Sequence, residues 1–127
     1  ILNKMIQNLN FPVKVKVHPT VREQNGLAMS SRNSYLNRQE RKEAPILFQA
    51  LNSAKTRILK GEPNPQKIIQ FISNMISKNT NGRIDTIECV NAQTLEPLKI
   101  FSGNVLIALA VWFGQTRLID NLTVRIQ

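Results

Sequence analysis

One cysteine, one histidine, one tryptophan and one tyrosine in 127 residues exclude several common kinds of chemistry. Cys89 has no partner for an internal disulfide, and no Cys-rich zinc pattern accompanies it, which fits a reducing compartment. It reads as a buried structural thiol, not as a nucleophile. His18 stands before Pro19 with no paired carboxylate nearby, so it reads as structural or exposed and not as a proton shuttle. Long apolar runs are also missing. The longest, VLIALAVWF at residues 105–113, falls well short of the roughly 20 residues a membrane helix needs. The N-terminus carries no signal-peptide pattern, and the expectation is a cytoplasmic protein. With few Gly and Pro, 42% hydrophobic residues and 20% charged ones, the composition is neither disordered nor collagen-like.

Acidic residues are scarce in an uneven way. Residues 1–60 hold eleven Lys/Arg against three Glu, whereas residues 61–127 hold six against five. The formal charge of +9 therefore comes almost wholly from the first half. A basic region of this kind can meet nucleic acid, an anionic membrane surface or a small polyphosphate, or be a solvated surface, and charge alone does not choose among them.

At this length one domain with one sizeable core is expected. The start, ILNKMIQNLN, has no initiator Met and resembles the later part of an amphipathic helix through Ile1, Leu2, Met5, Ile6 and Leu9 with no capping signal before it. That pattern is expected of a cut inside a longer protein. Val13, Val15 and Val17 then alternate with Lys14, Lys16 and His18, the period of a short strand with one buried face. From Thr20 to Leu36 no periodicity is sustained, and the segment reads as a long ordered loop.

Asn37 and Glu40 have the spacing of a capping box, so a helix should begin there. Its apolar face runs through Leu47, Ala50, Leu51, Ala54 and Ile58; Pro45 should kink or divide it, and Gly61 should end it. Asn64-Pro65 begins another helix, with Ile68, Ile69, Ile72, Met75 and Ile76 as its stripe. Residues 84–90, 105–113 and 117–124 are strand-like and separated by turn signals, which predicts an antiparallel meander. The run VLIALAVWF lacks polar alternation and should be its middle strand, with Trp112 and Phe113 packing against the helices. Phe48 reads as core.

The segment VREQNGLAMSSRN, residues 21–33, carries the chemistry. Gly26 allows a tight turn or close backbone approach. Met29-Ser30-Ser31-Arg32-Asn33 follows with two hydroxyls, a guanidinium and consecutive amides. An arginine fork with directed hydroxyl and amide donors suits a phosphate chain. On residue chemistry alone the alternative is a turn whose serines cap the residues from Asn33 to Leu36. Arg22 and Glu23 either fix the loop as a side-chain pair or touch a nucleotide, with the structural role preferred. Asp120, a single carboxylate at a strand end with no acidic partner at ligand spacing, reads as a turn or inter-strand residue and not as a metal ligand.

Pro19-Thr20-Val21-Arg22-Glu23, Gly26-Leu27-Ala28-Met29-Ser30-Ser31-Arg32-Asn33 and Tyr35-Leu36 resemble the C-terminal half of the pantothenate synthetase family. Arg41-Lys42, Ala44-Pro45 and Arg117-Leu118-Ile119-Asp120-Asn121 are similar at matching distances, so the resemblance covers essentially the whole chain. It implies an α+β fold, helices on a small three-stranded antiparallel sheet, preceded by a helix and strand belonging to an N-terminal Rossmann-like nucleotidylyltransferase domain. The implied division is residues 1–19 as the remnant of that domain, 20–36 as the ATP-phosphate loop and connection, and 37–127 as a C-terminal lid domain.

The activity implied is ligation of pantoate to β-alanine, with ATP spent to AMP and pyrophosphate through pantoyl adenylate and with Mg2+ present. Met29, Ser30, Ser31 and Arg32 would contact ATP, as would the backbone of Val21. No catalytic residue and no metal ligand is expected in this chain, because the family's His-containing ATP motif, its pantoate-binding Gln residues and its Gly-x-Lys-Asp segment fall before Ile1. Pantoate and β-alanine would thus be bound mainly by an N-terminal domain, the intact enzyme would be a homodimer, and the chain alone would be an inactive monomer. Asn25 stands where some members have Asp, removing a possible carboxylate from the loop. Neither nucleic acid nor membrane is an expected partner; the alternative function is a non-catalytic basic nucleic-acid-binding module, which would want aromatic platforms among its basic residues.

Overall fold

A computed structural model describes Arg22, Gly26, Leu27 and residues 35–126. The helix expected at the start of the chain, the strand through Val13, Val15 and Val17, and His18 lie outside these residues.

Helix α1, Arg38–Glu43, opens on the capping box: Asn37 Oδ1 accepts from the Glu40 amide at 2.8 Å, and Glu40 Oε1 accepts from the Asn37 amide at 2.9 Å. Pro45 divides the helical stretch, as its missing amide requires, and α2 runs over Ile46–Leu59. The end of α2 has the Schellman arrangement. Gly61, at φ +114°, donates to Ile58 and Glu62 donates to Arg57, which satisfies two carbonyls of the last turn. Asn64 then caps α3, Pro65–Asn79, by accepting from the Gln66 amide at 2.9 Å, with Pro65 in the first turn.

Three strands follow: β1 Arg83–Asn91, β2 Gly103–Phe113 and β3 Thr116–Ile126. They form an antiparallel sheet in the order β1-β2-β3. The apolar run is the middle strand, as its lack of alternation predicts. Val105, Ile107, Leu109, Val111 and Phe113 face the helices and join Leu47, Leu51, Ile68, Ile72 and Ile76 in one core. Helix α2 lies over β3 and α3 over β1, with the two helices packed on each other. On the opposite face Ala108 and Ala110 are buried with Ile119 against them.

The expectation for Trp112 is corrected here. Neighbouring residues on a strand point to opposite faces, so Trp112 and Phe113 cannot both meet the helices. Phe113 does; Trp112 is half-buried on the other face, with the Arg83 guanidinium 5.7 Å from its ring centroid. Cys89 is buried, as expected, and burial together with the neighbouring Glu88 charge pushes its thiol up to about 12. At neutral pH it is a protonated, inert side chain.

Glu43 ties the short first helix to the turn before β1. Its carboxylate accepts from the Asn81 amide at 2.7 Å, from Asn81 Nδ2 at 3.1 Å and from Gln39 Nε2 at 2.6 Å. These bonds, the Asn81 backbone first, hold its pKa below the ordinary value.

Two outcomes follow for stability. Ile72→Ala should cost about 2–5 kcal/mol in urea unfolding, and the cap deletion Asn37→Ala only about 1 kcal/mol. A depressed folded-state pKa gives Glu43 a stabilising contribution that is complete above its ordinary value of 4.5 and lost as pH falls through the lower folded value. Urea midpoints should therefore drop on acidification, and Glu43→Gln should weaken that dependence while lowering stability at neutral pH.

Candidate functional site

Strand β3 sends Leu118, Asp120, Leu122 and Val124 to the helix-facing side, opposite Val111, Leu109, Ile107 and Val105 of β2. Asp120 is thus a carboxylate in a row that is otherwise apolar, and it is 2% exposed. An ionised carboxylate at such a position has to be paired. The partner is Arg22, whose Nη1 donates to Asp120 Oδ2 at 2.6 Å. The other carboxylate oxygen, Oδ1, accepts from the Asn121 amide at 2.7 Å. Burial pushes the Asp120 carboxyl above the usual carboxylate range, and the hydrogen bond and charge of Arg22 act against that shift.

Arg22 is held by more than the carboxylate. Nη1 also donates to the Gly26 carbonyl at 3.1 Å, and Nη2 donates to the Asn121 carbonyl at 3.1 Å. The guanidinium lies 3.9 Å from the centroid of the Phe48 ring, which α2 supplies. A planar guanidinium can fork between acceptors while stacking on an aromatic face; an ammonium group cannot do both. Gly26 sits at φ +92°, where a side chain is strained, and a Cβ there would fall 2.6 Å from Phe48 Cδ2. Arg22, Gly26, Phe48, Asp120 and Asn121 therefore form one packed unit joining the loop, α2 and the edge strand.

The loop is also tied through apolar side chains. Leu27, after Gly26, is 3% exposed, and Leu36, before the first helix, is 6% exposed; both belong to the main core. Of the residues expected at the ATP site, Val21, Met29, Ser30, Ser31 and Arg32 lie outside the described residues, as does Glu23. The structure thus describes the anchors on either side of the SSR sequence.

The structural roles preferred for Arg22 and Asp120 turn out to be a single role, because the two side chains are partners. Phe48, read as core, is half-buried and forms the platform under Arg22. One sequence signal for the pairing exists: Leu118, Asp120, Leu122 and Val124 keep a strand period of two, which puts Asp120 on the buried face. Its partner, 98 residues earlier, has no such signal. Among the described residues no group of three His, Cys, Asp or Glu could hold a metal ion, and Asp120 is committed to Arg22 and the Asn121 amide. Among the described residues, too, no helix is long and apolar enough to cross a membrane.

Comparison with known proteins gives a consistent result. The family model described as Pantoate-beta-alanine ligase matches residues 1–123. The pantothenate synthetase of Geobacillus sp. (strain WCH70) is 47% identical over 126 residues, covering 99% of this chain and 45% of that protein. That of Caldicellulosiruptor saccharolyticus is 48% identical over 126 residues, with the same coverage. The crystal structure of pantothenate synthetase from Thermus thermophilus superposes with a TM-score of 0.77 at 36% identity, covering 94% of this chain and 43% of that one. The chain spans less than half the length of these relatives.

The packed unit makes its own prediction. Gly26→Ala should destabilise the protein by about 1–3 kcal/mol, from backbone strain and the collision with Phe48. Introducing Phe48→Ala alongside it should recover the collision part but leave the strain, which a double-mutant cycle in urea would measure.

Proposed function

The chain belongs to the pantoate-beta-alanine ligase family, and from that premise we propose that it is the ATP-gripping part of an enzyme that condenses pantoate with β-alanine. The observation that carries this reading is the family match over residues 1–123. In this reading residues 20–36 are the phosphate loop, residues 37–127 are the lid domain that supports it, and residues 1–19 continue an N-terminal nucleotide-binding domain.

The chemistry asks little of the protein in the way of covalent work. The pantoate carboxylate attacks the α-phosphorus of ATP, a P–O bond forms, and the bond to pyrophosphate breaks. The β-alanine amine then attacks the acyl carbon of pantoyl adenylate, loses a proton, and AMP departs. Catalysis of the first step consists of positioning and of stabilising charge on the phosphates. Ser30 and Ser31 would donate hydroxyl hydrogen bonds and Arg32 a guanidinium fork, with Met29 and the Val21 backbone completing the contact with ATP. Mg2+ enters this reading as a companion of the ATP substrate. The anchors at Leu27, Leu36 and Arg22 support it physically, since a loop fastened at both ends has less ordering entropy to lose on meeting phosphate. No observation favours the nucleic-acid-binding alternative.

Assay of the full-length ligase tests this proposal. Ser31→Ala or Arg32→Ala should lower kcat/KM for ATP by roughly ten- to hundredfold, as expected for loss of one charge-assisted bond. The 127-residue chain alone should form no pantothenate. Turnover by that chain alone, or steeply salt-dependent oligonucleotide binding indifferent to ATP, would overturn the assignment.

A further inference from the structure

The Arg22–Asp120 pair lies outside the ATP contacts assigned above, and stability is a weak reason for it. A buried ion pair pays a large desolvation cost, and apolar side chains of similar volume often serve as well or better. At position 120 an apolar residue would complete the row formed by Leu118, Leu122 and Val124. What the pair supplies and an apolar residue could not is direction. The guanidinium is held by the Asp120 carboxylate, the Gly26 and Asn121 carbonyls and the Phe48 ring. Two of those four contacts, the one to Asn121 and the one to Asp120, belong to the sheet; the one to Gly26 belongs to the loop.

We propose that Asp120 is a positioning residue for the ATP-phosphate loop, acting through Arg22. The inference rests on the ligase reading. Asp120 holds the guanidinium in place, and the guanidinium holds the Gly26 carbonyl. Gly26, three residues before Met29, is thereby tied to β3 through one side chain. Arg22 is correspondingly not a phosphate ligand: its charge is answered by Asp120, and its donors are directed at protein oxygens. The phosphate charge is left to Arg32. The lid domain and the phosphate loop thus act as one mechanical unit, because one of the contacts between them, beside the apolar ones at Leu27 and Leu36, is made by a side chain that cannot shift without leaving a carboxylate buried and unpaired.

The experiment separates direction from stability in the full-length ligase. The double variant Arg22→Met/Asp120→Leu removes both charges and fills the row, so its thermal midpoint should equal or exceed the original. Its KM for ATP in pantoate-dependent pyrophosphate exchange should nonetheless rise about tenfold or more, while KM for β-alanine in the complete reaction changes less than about twofold. A purely structural pair would give a stable double variant with an unchanged KM for ATP, and that result overturns the proposal. Arg22→Lys provides a second arm, since it keeps a cation beside Asp120 but loses the fork to the two carbonyls. It should also raise KM for ATP, and an unchanged value in a folded Arg22→Lys enzyme overturns the proposal equally. Absence of pantoate-dependent exchange in the unsubstituted full-length protein would instead remove the ligase reading on which the proposal stands.

Discussion

A carboxylate set into the core-facing row of an edge strand has to be answered by a cation, and Asp120 is answered by Arg22 from the far end of the sequence. Most of the other features around the loop depend on that pairing. The half-buried Phe48 ring carries the guanidinium on its face. Gly26 has no side chain because the ring and the positive φ leave no space for one. Asn121 uses its amide for the carboxylate and its carbonyl for the guanidinium, so the strand backbone takes part as fully as the side chains. Breaking such a pair from one side leaves a buried charge without a partner, at a cost of about 3–5 kcal/mol.

Beneath this unit the domain is ordinary. Two amphipathic helices cover one face of a three-stranded meander, and the middle strand contributes every second side chain to the shared core. Local chemistry sets the element ends: a capping box at Asn37, a proline that interrupts the chain at residue 45, a left-handed glycine at 61 and a second capped start at Asn64. The consequence for function is a rigid base. Leu27 and Leu36, the described residues that flank positions 28–34, are both part of its core.

For an adenylate-forming ligase such a base has a clear use. Two anionic groups, a carboxylate and a triphosphate, must be held in line, and the charge that develops must be met by donors already in position. The division proposed here gives that task to Ser30, Ser31 and Arg32 and assigns the neighbouring Arg22 to the scaffold. In this proposal two arginines ten positions apart do different work, Arg22 being the one whose side chain meets the buried Asp120 carboxylate.

Periodicity and capping residues made most of the architecture legible from the sequence. The three strands, the middle position of VLIALAVWF, the division at Pro45 and both helix starts follow from interactions among neighbours in the chain, and the structure has them in place. The SSR sequence offered two hydroxyls and a guanidinium as residue types, and its expected contact with ATP lies outside the described residues. The sequence reading misplaced Trp112, which alternation with Phe113 puts on the face away from the helices, and it left open above all the identity of the cation opposite Asp120. That pairing joins residues 98 positions apart, and no local rule relates them. Only tertiary packing brings the Phe48 ring, the Asp120 carboxylate and the Gly26 and Asn121 carbonyls around one guanidinium, so tertiary structure alone decided that Arg22 is the partner of Asp120.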